Sequence, residues 1–244
     1  MKINEYFREI TQPKFNHLKK LEIACCNLES VLNANRGGAS RIELFENLAD
    51  GGCTPSFGML KKAKEISTIP IYAMIRPRGG DFCYTREELE IMQEDIKVCL
   101  ELNIEGIVFG VLTKEGEVDQ KASGLLLETW KNRPATFHRA FDNSNNLENA
   151  INSIIKLGFE RILTSGGQPK AEQGLEVILE LHRKYGEQIS TMAGSGITSD
   201  NVHLFSELNE VHATCKVETK SDNLFGQYSY SELDKILQLK NIFI

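Results

Sequence analysis

Arg76-Pro77-Arg78-Gly79-Gly80-Asp81 directly follows the apolar run from Ile69 to Ile75. An apolar run that stops at two arginines and two glycines reads as a buried strand ending at a mouth, where guanidiniums and bare backbone amides can face an anion. A second segment, His138-Arg139-Ala140-Phe141-Asp142, joins an imidazole that exchanges protons near neutral pH to a cation and to a carboxylate able to orient a neighbour. Two Gly-rich turns, Thr164-Ser165-Gly166-Gly167 and Ala193-Gly194-Ser195-Gly196-Ile197, supply backbone N–H groups of the kind that hold phosphate. A plainer reading stands beside each: the arginines pair with nearby carboxylates, the glycines only permit tight turns, and the histidine sits satisfied in a core.

The elements that must position these groups recur regularly. Strands are expected at Leu21–Cys25, Arg41–Leu44, Ile71–Ile75, Ile104–Phe109, Ala135–His138, Arg161–Leu163, Ile189–Ala193 and Val211–Thr214. Between and after them the pattern predicts helices at Leu28–Asn35, Phe57–Glu65, from Thr85 onward, and at Val118–Trp130, Leu147–Leu157, Glu172–Tyr185, Asn201–Leu208 and Ser231–Leu239. Thr85 with Glu88 three residues on has the form of a capping box. Eight strands alternating with helices in 244 residues fit an α/β fold of one domain, a (β/α)8 TIM-type barrel, over residues 20–244. Residues 1–19, polar and broken at Pro13, read as an N-terminal arm or short helix. A doubly wound open sheet ranks below the barrel, because no Gly-x-Gly-x-x-Gly follows the first strand.

Side chains alternate along a strand, so parity sorts the barrel interior from the layer under the helices. Leu21, Ile23 and Cys25 share one face and must meet the helices, which turns Glu22, Ala24 and Cys26 inward. The same rule points Glu43, Arg76, His138 and His212 inward, with Lys216 beyond the last strand on the parity of His212. Glu22, Glu43, His138 and Asp142 are therefore the candidates for proton transfer. Arg76, Arg78, Arg139, Ser165, Gly166, Gly194, Ser195, His212 and Lys216 are the candidates for holding a small anionic or phosphorylated ligand. The structural alternative is an internal network with Arg76 held between Glu22 and Glu43. The glycines follow the sixth and seventh strands, whereas the usual barrel phosphate site follows the seventh and eighth.

Composition narrows the class. A net charge of −6 with no dense basic patch argues against a nucleic-acid partner. No apolar run approaches the roughly 20 residues of a membrane span, and the first ten residues have no signal-peptide character, so a cytoplasmic location is expected. Cysteines at 25, 26, 53, 83, 99 and 215 include no Cys-x-x-Cys pair, and reduced thiols are the default. Cys26 has the inward parity, and Cys53 and Cys83 lie on loops that could approach it.

Glu43-Leu44, Gly51-Gly52-Cys53-Thr54-Pro55-Ser56, Met74 to Tyr84, Phe137 to Asp142, Leu163 to Gly166 and Met192 to Ile197 together resemble the CutC family of copper homeostasis proteins, in order and from about Leu21 to Lys216. The resemblance implies a TIM-type barrel in the cytoplasm, copper binding, self-association as a homo-oligomer, and an enzymatic activity that is suspected rather than assigned. Cys26 and Cys83 match cysteines common in the family and are the implied metal ligands. Phe45 stands where many relatives carry a cysteine.

Overall fold

Each strand is a short apolar run whose outward side chains vanish beneath the helices: Leu21, Ile23 and Cys25 are fully buried, as are Ile42, Leu44, Ile71, Ala73, Ile107 and Phe109. The computed structural model describes residues 19–219 and 226–244, so the expected N-terminal segment lies outside the described residues apart from Lys19. Eight parallel strands close in sequence order: β1 (Lys20–Cys25), β2 (Arg41–Leu44), β3 (Ile71–Met74), β4 (Gly106–Phe109), β5 (Ala135–Phe137), β6 (Arg161–Thr164), β7 (Ser190–Ala193) and β8 (Glu210–Ala213). β8 returns to pair with β1, setting Glu22 beside His212, while Glu22 also faces Arg41 across β1 and β2.

The outer layer is α1 (Leu28–Arg36), α2 (Phe57–Ile66), α3 (Arg86–Glu101), α4 (Gln120–Thr129), α5 (Leu147–Leu157), α6 (Leu175–Tyr185) and α7 (Leu233–Phe243). Five of these start on a side-chain cap that accepts from the third residue on, supplied by Asn27, Ser56, Thr85, Asp119 and Asn146, and Thr85 with Glu88 completes the expected capping box. One buried cluster joins the outward faces of the strands to the helices. A second, small one lies inside the barrel: Ala24, Phe45, Tyr72, Met74 and Val108.

The expected TIM-type barrel is what forms, with local differences; α4 and α6 begin at Gln120 and Leu175 instead of Val118 and Glu172. The segment expected as a helix at Asn201–Leu208 is a short 3-10 turn, Val202–Phe205, whose bonds run to the third residue back, as in Leu208 N–H to the Phe205 carbonyl. The last helix begins at Leu233 instead of Ser231, because Ser229–Ser231 is drawn into an antiparallel pair with Lys216–Glu218; these two are β10 and β9. This pair is tied over the C-terminal end of β1 by Ser231 Oγ donating to the Ala24 carbonyl (3.0 Å) and Asn27 Nδ2 donating to the Ser229 carbonyl (2.8 Å). The fourth strand starts at Gly106, not Ile104. Among the described residues, no helix is long and apolar enough to cross a membrane.

Candidate functional site at the barrel mouth

The barrel interior is charged from the bottom up. At the N-terminal end Arg41 reaches both Glu22, through Nε, and Glu210, through Nη2 at 2.7 Å. Arg161 Nε donates to Glu210 at 3.1 Å and Arg161 Nη1 to Thr136 Oγ1 at 3.1 Å. The Tyr72 ring lies between the two guanidiniums, 4.9 Å from Arg41 Cζ and 5.1 Å from Arg161 Cζ. It fits because Gly106 faces it: a Cβ there would come within 2.4 Å of the ring. The internal network weighed as the alternative, Arg76 between Glu22 and Glu43, does not form; Glu22 is held by Arg41, which with Arg161 also holds Glu210. Arg41 shares the inward parity of Glu43, a signal the reading of β2 passed over; Arg161 and Glu210 open their strands, where parity is hardest to assign.

One layer up, Glu22 Oε1 accepts from His212 Nδ1 at 2.7 Å, and His212 Nε2 stands 3.7 Å from Glu43 Oε2. Glu22 is 1% exposed. Burial alone would raise its pKa, but Arg41, then His212 and Arg161, outweigh burial and hold it well below the carboxylate range. Glu43 has no such cation against it: burial, with Glu22 nearby, pushes it up to about 7 against the pull of His212 and Arg41. His212 is lowered by burial but raised more by Glu43 and Glu22, so it stays charged above the usual histidine range. The result is a chain of charges, Arg41, Glu22, His212 and Glu43, ending at a carboxyl that can exchange a proton near neutral pH.

Above this chain opens a cavity of about 590 Å³ at the C-terminal ends of the strands, with Glu43, His212, Arg76 and His138 in its lining and Met74 and Phe82 among its apolar walls. Arg76 contacts neither glutamate. Its Nη1 donates to the carbonyls of Asp50 (2.7 Å) and Gly52 (2.8 Å), its Nη2 to the carbonyl of Gly80 (2.8 Å), and it lies over the Phe82 ring at 5.0 Å. Arg76 therefore folds the β2 and β3 loops around itself and brings its charge to the wall.

His138 follows β5 on the opposite wall. Ala140 N–H donates to its Nδ1 at 3.2 Å, so the proton of the neutral ring sits on Nε2. Burial and the charge of Arg76 drive its pKa down to about 3, and the ring is neutral. Phe82 packs on it with centroids 4.9 Å apart, and Gly110 leaves the room it occupies, since a Cβ there would lie 2.7 Å from Nδ1. Nε2 is buried without a hydrogen-bond partner among the described residues, and so is Glu43 Oε1. A buried polar atom without a partner costs about 1–3 kcal/mol.

The remaining candidates divide. Arg139, Ser195 and Lys216 line the cavity; Lys216 is exposed and in no ion pair among the described residues. Asp50 lines it too, with its carboxylate held by Asn47 Nδ2 at 2.6 Å. Ser195 (φ 83°) and Gly196 (φ 78°) both take left-handed backbone at the rim. Arg78 lies outside the lining: Glu88, Asp81 and the Cys83 carbonyl occupy its guanidinium. Asp142 does not reach the cavity. It accepts from Ser165 N–H (3.0 Å) and Gly167 N–H (3.0 Å), while Gly166 N–H donates to Thr164 Oγ1 (2.9 Å), so the turn after β6 already holds an anion, the Asp142 carboxylate. Arg139 pairs with the same carboxylate at 2.8 Å. Gly194 is needed for packing, since a Cβ would meet Leu163 at 2.6 Å.

The thiols stand apart from this site. Cys26 Sγ points to the Ser229 carbonyl (3.6 Å) and Cys83 Sγ to the Thr113 carbonyl (3.1 Å), and neither lines the cavity. Among the described residues the only group of three or more His, Cys, Asp or Glu with donor atoms within 4.8 Å of one another is Glu22, Glu43 and His212. It does not fit Cu(I): Glu22 is already taken by Arg41 and His212, a cation there would meet the Arg41 guanidinium, and no sulfur, which Cu(I) favours, belongs to the set.

A closed parallel barrel whose polar cavity opens at the C-terminal strand ends defines the TIM-type barrels with a ligand mouth. The chain belongs to the CutC family: the family's sequence model matches residues 19–217. It is 44% identical over 211 residues to the CutC family protein of Vibrio campbellii, covering 84% of this chain and 85% of that one, and 45% identical to its counterpart in Vibrio cholerae over the same length. The crystal structure of CutC from Streptococcus agalactiae, named there for copper homeostasis, superposes with a TM-score of 0.77 at 33% identity, over 81% of this chain and 99% of that one. The thiamine phosphate pyrophosphorylase of Pyrococcus furiosus shares the fold, with a TM-score of 0.61 at 16% identity over 93% of this chain and 96% of that one.

Proposed function

We propose that the barrel mouth binds a small organic anion and acts on it by proton transfer. The observation that carries this reading is two buried atoms without partners among the described residues, His138 Nε2 and Glu43 Oε1, on different sides of one cavity whose lining also includes Arg76, with its Nε likewise unpartnered. A fold that satisfies Arg41, Glu22 and Asp142 so fully, yet leaves these two open, keeps them for a ligand. Lys216, in no ion pair among the described residues, supplies positive charge at the rim that draws an anion in, beside Arg139, whose guanidinium also holds Asp142. Arg78 and the turn at Ser165 and Gly166 serve as framework in this reading.

The test is a thermal-shift and calorimetric screen of small carboxylates and phosphate esters. Binding is expected, and Lys216→Glu should weaken it about tenfold, ~1.4 kcal/mol, by reversing a rim charge without touching the core. Equal affinity in the two proteins would remove the rim from the site.

Copper binding is a second reading, favoured by membership of a family named for copper homeostasis, and it would rest on Cys26 and Cys83. Their surroundings speak against it: burial raises the pKa of Cys26, and burial with Asp81 and Glu115 raises that of Cys83, while metal capture needs thiolates. Cu(I) titrated anaerobically against a strong chelator is expected to show the same affinity for the protein and for its Cys26→Ser/Cys83→Ser variant. A clear loss in the variant would establish the copper site there. Cytoplasmic residence and self-association enter this proposal from the family resemblance.

A further inference from the structure

The ligand's reacting group follows from the chemistry of the two open atoms. Glu43 projects from β2 and His138 follows β5, three strands apart in a closed ring of eight, so they face one cavity from different sides. One is a carboxyl with a free oxygen. The other is an imidazole whose only available atom is an N–H donor, since Ala140 occupies Nδ1. A base and a neutral N–H donor in one cavity are what is needed to take a proton from carbon beside a carbonyl group.

Resting on the anion reading above, we propose that the mouth takes a small carbonyl compound bearing a carboxylate or phosphate ester and enolises it, with Glu43 as the base and His138 as the electrophile. Glu43 Oε1 takes the proton from the carbon next to the carbonyl. The C–H electron pair becomes the new C=C bond, and the carbonyl π pair moves onto its oxygen, where the Nε2–H of His138 receives it. Glu43, now a carboxylic acid, returns the proton to the same carbon, which regenerates the carbonyl compound with that hydrogen exchanged. No oxidant or reductant is consumed.

Two details of the site suit this step and no simple anion clamp. The first is the neutrality of His138: the Arg76 charge beside it and the packed Phe82 ring leave it a donor that keeps its proton and never competes for the one being moved. The second is the backing of Glu43. His212, held by Glu22, stands 3.7 Å behind it, and its charge stabilises the carboxylate between turnovers. Glu22 and Arg41 touch neither the cavity nor the ligand and act as positioning residues. The anionic end of the ligand points outward, to Arg139 and Lys216, and the apolar wall at Met74 and Phe82 excludes water from the carbon being deprotonated.

The probes are malonomonohydroxamate and phosphoglycolohydroxamate, whose planar hydroxamates copy an enediolate beside a carboxylate or a phosphate ester, each compared with malonamate or phosphoglycolamide, the matched amide without the hydroxamate oxygen. Calorimetry on the whole protein is expected to show at least one hydroxamate bound tenfold or more tightly than its partner. The preference should disappear in His138→Gln while the partner's affinity is kept, and the pair that shows it tells carboxylate from phosphate ligands. If malonamate or phosphoglycolamide binds but the hydroxamates bind no better, enolisation is wrong and the anion reading stands. If none of the four binds, both fall. Should His138→Gln fail to fold, the preference in the unaltered protein and its loss in Glu43→Gln carry the same test.

Discussion

Replacing Arg41 by methionine should lower the free energy of unfolding by about 3–5 kcal/mol, measured by urea denaturation at neutral pH. Methionine keeps much of the apolar length of the side chain, so the effect isolates the guanidinium. Arg41 is buried and joins two buried carboxylates, Glu22 and Glu210. Without it Glu22 retains only His212, and Glu210 only Arg161 with Ser190. Burial already works against both carboxylates, and Arg41 is the largest single influence holding each below its ordinary range, Glu210 at about 2. Removing one partner of a buried ion network leaves charge without compensation, which costs more than never having built the network. Adding Glu210→Gln to the variant should recover part of the loss, because one of the orphaned charges then disappears. A loss under about 1 kcal/mol in Arg41→Met would mean that water reaches the barrel floor.

Between pH 4.5 and 6.5 the stability of the protein should be nearly flat, and two single substitutions should tilt it in opposite directions. In this window an unfolded chain carries Glu43 as carboxylate, whereas the fold keeps it protonated up to about 7. The folded state binds the extra proton, so this group makes stability fall as pH rises, by about 1.4 kcal/mol per pH unit. His138 does the reverse: unfolded it is charged below 6.5, and folded it stays neutral down to about 3. Here the unfolded state binds the extra proton, and stability rises with pH at about the same rate. His212, raised by Glu43 and Glu22, contributes fully below 6.5 and is lost only above it; Glu22 and Glu210, both depressed, act below 4.5. Glu43→Gln should therefore gain about 2–3 kcal/mol of stability from pH 4.5 to 6.5, and His138→Asn should lose a similar amount. In Glu43→Gln, His212 keeps its hydrogen bond to Glu22. Parallel curves for the two variants would show that these residues do not titrate as their burial demands.

The barrel was legible because its strands are short apolar runs between strong helix starts, and such local signals survive into the fold. Thr85 and Glu88 show this well: a pattern four residues long decides where α3 begins. Alternation along the strand also placed Glu22, Glu43, Arg76, His138 and His212 on residues that turn away from the helices. What it could not give was partnership. Arg41 and Arg161 meet at Glu210 only because the sheet closes on itself, and no spacing in the chain encodes that contact. The Gly-rich turn after β6 misled for a related reason: its N–H groups suit an anion, but the anion is Asp142, brought from the loop after β5. Gly106 and Gly110 carried a readable signal that went unused, one gap at the start of β4 and one just past its end, which make room for the Tyr72 and His138 rings.

The ion-paired floor of Arg41, Arg161, Glu22 and Glu210 also governs traffic. It stoppers the barrel at one end, so a molecule that enters by the mouth also leaves by it. Displacement then waits on departure: the rate at which one bound molecule is exchanged for another is set by the first one's own escape, however concentrated the newcomer.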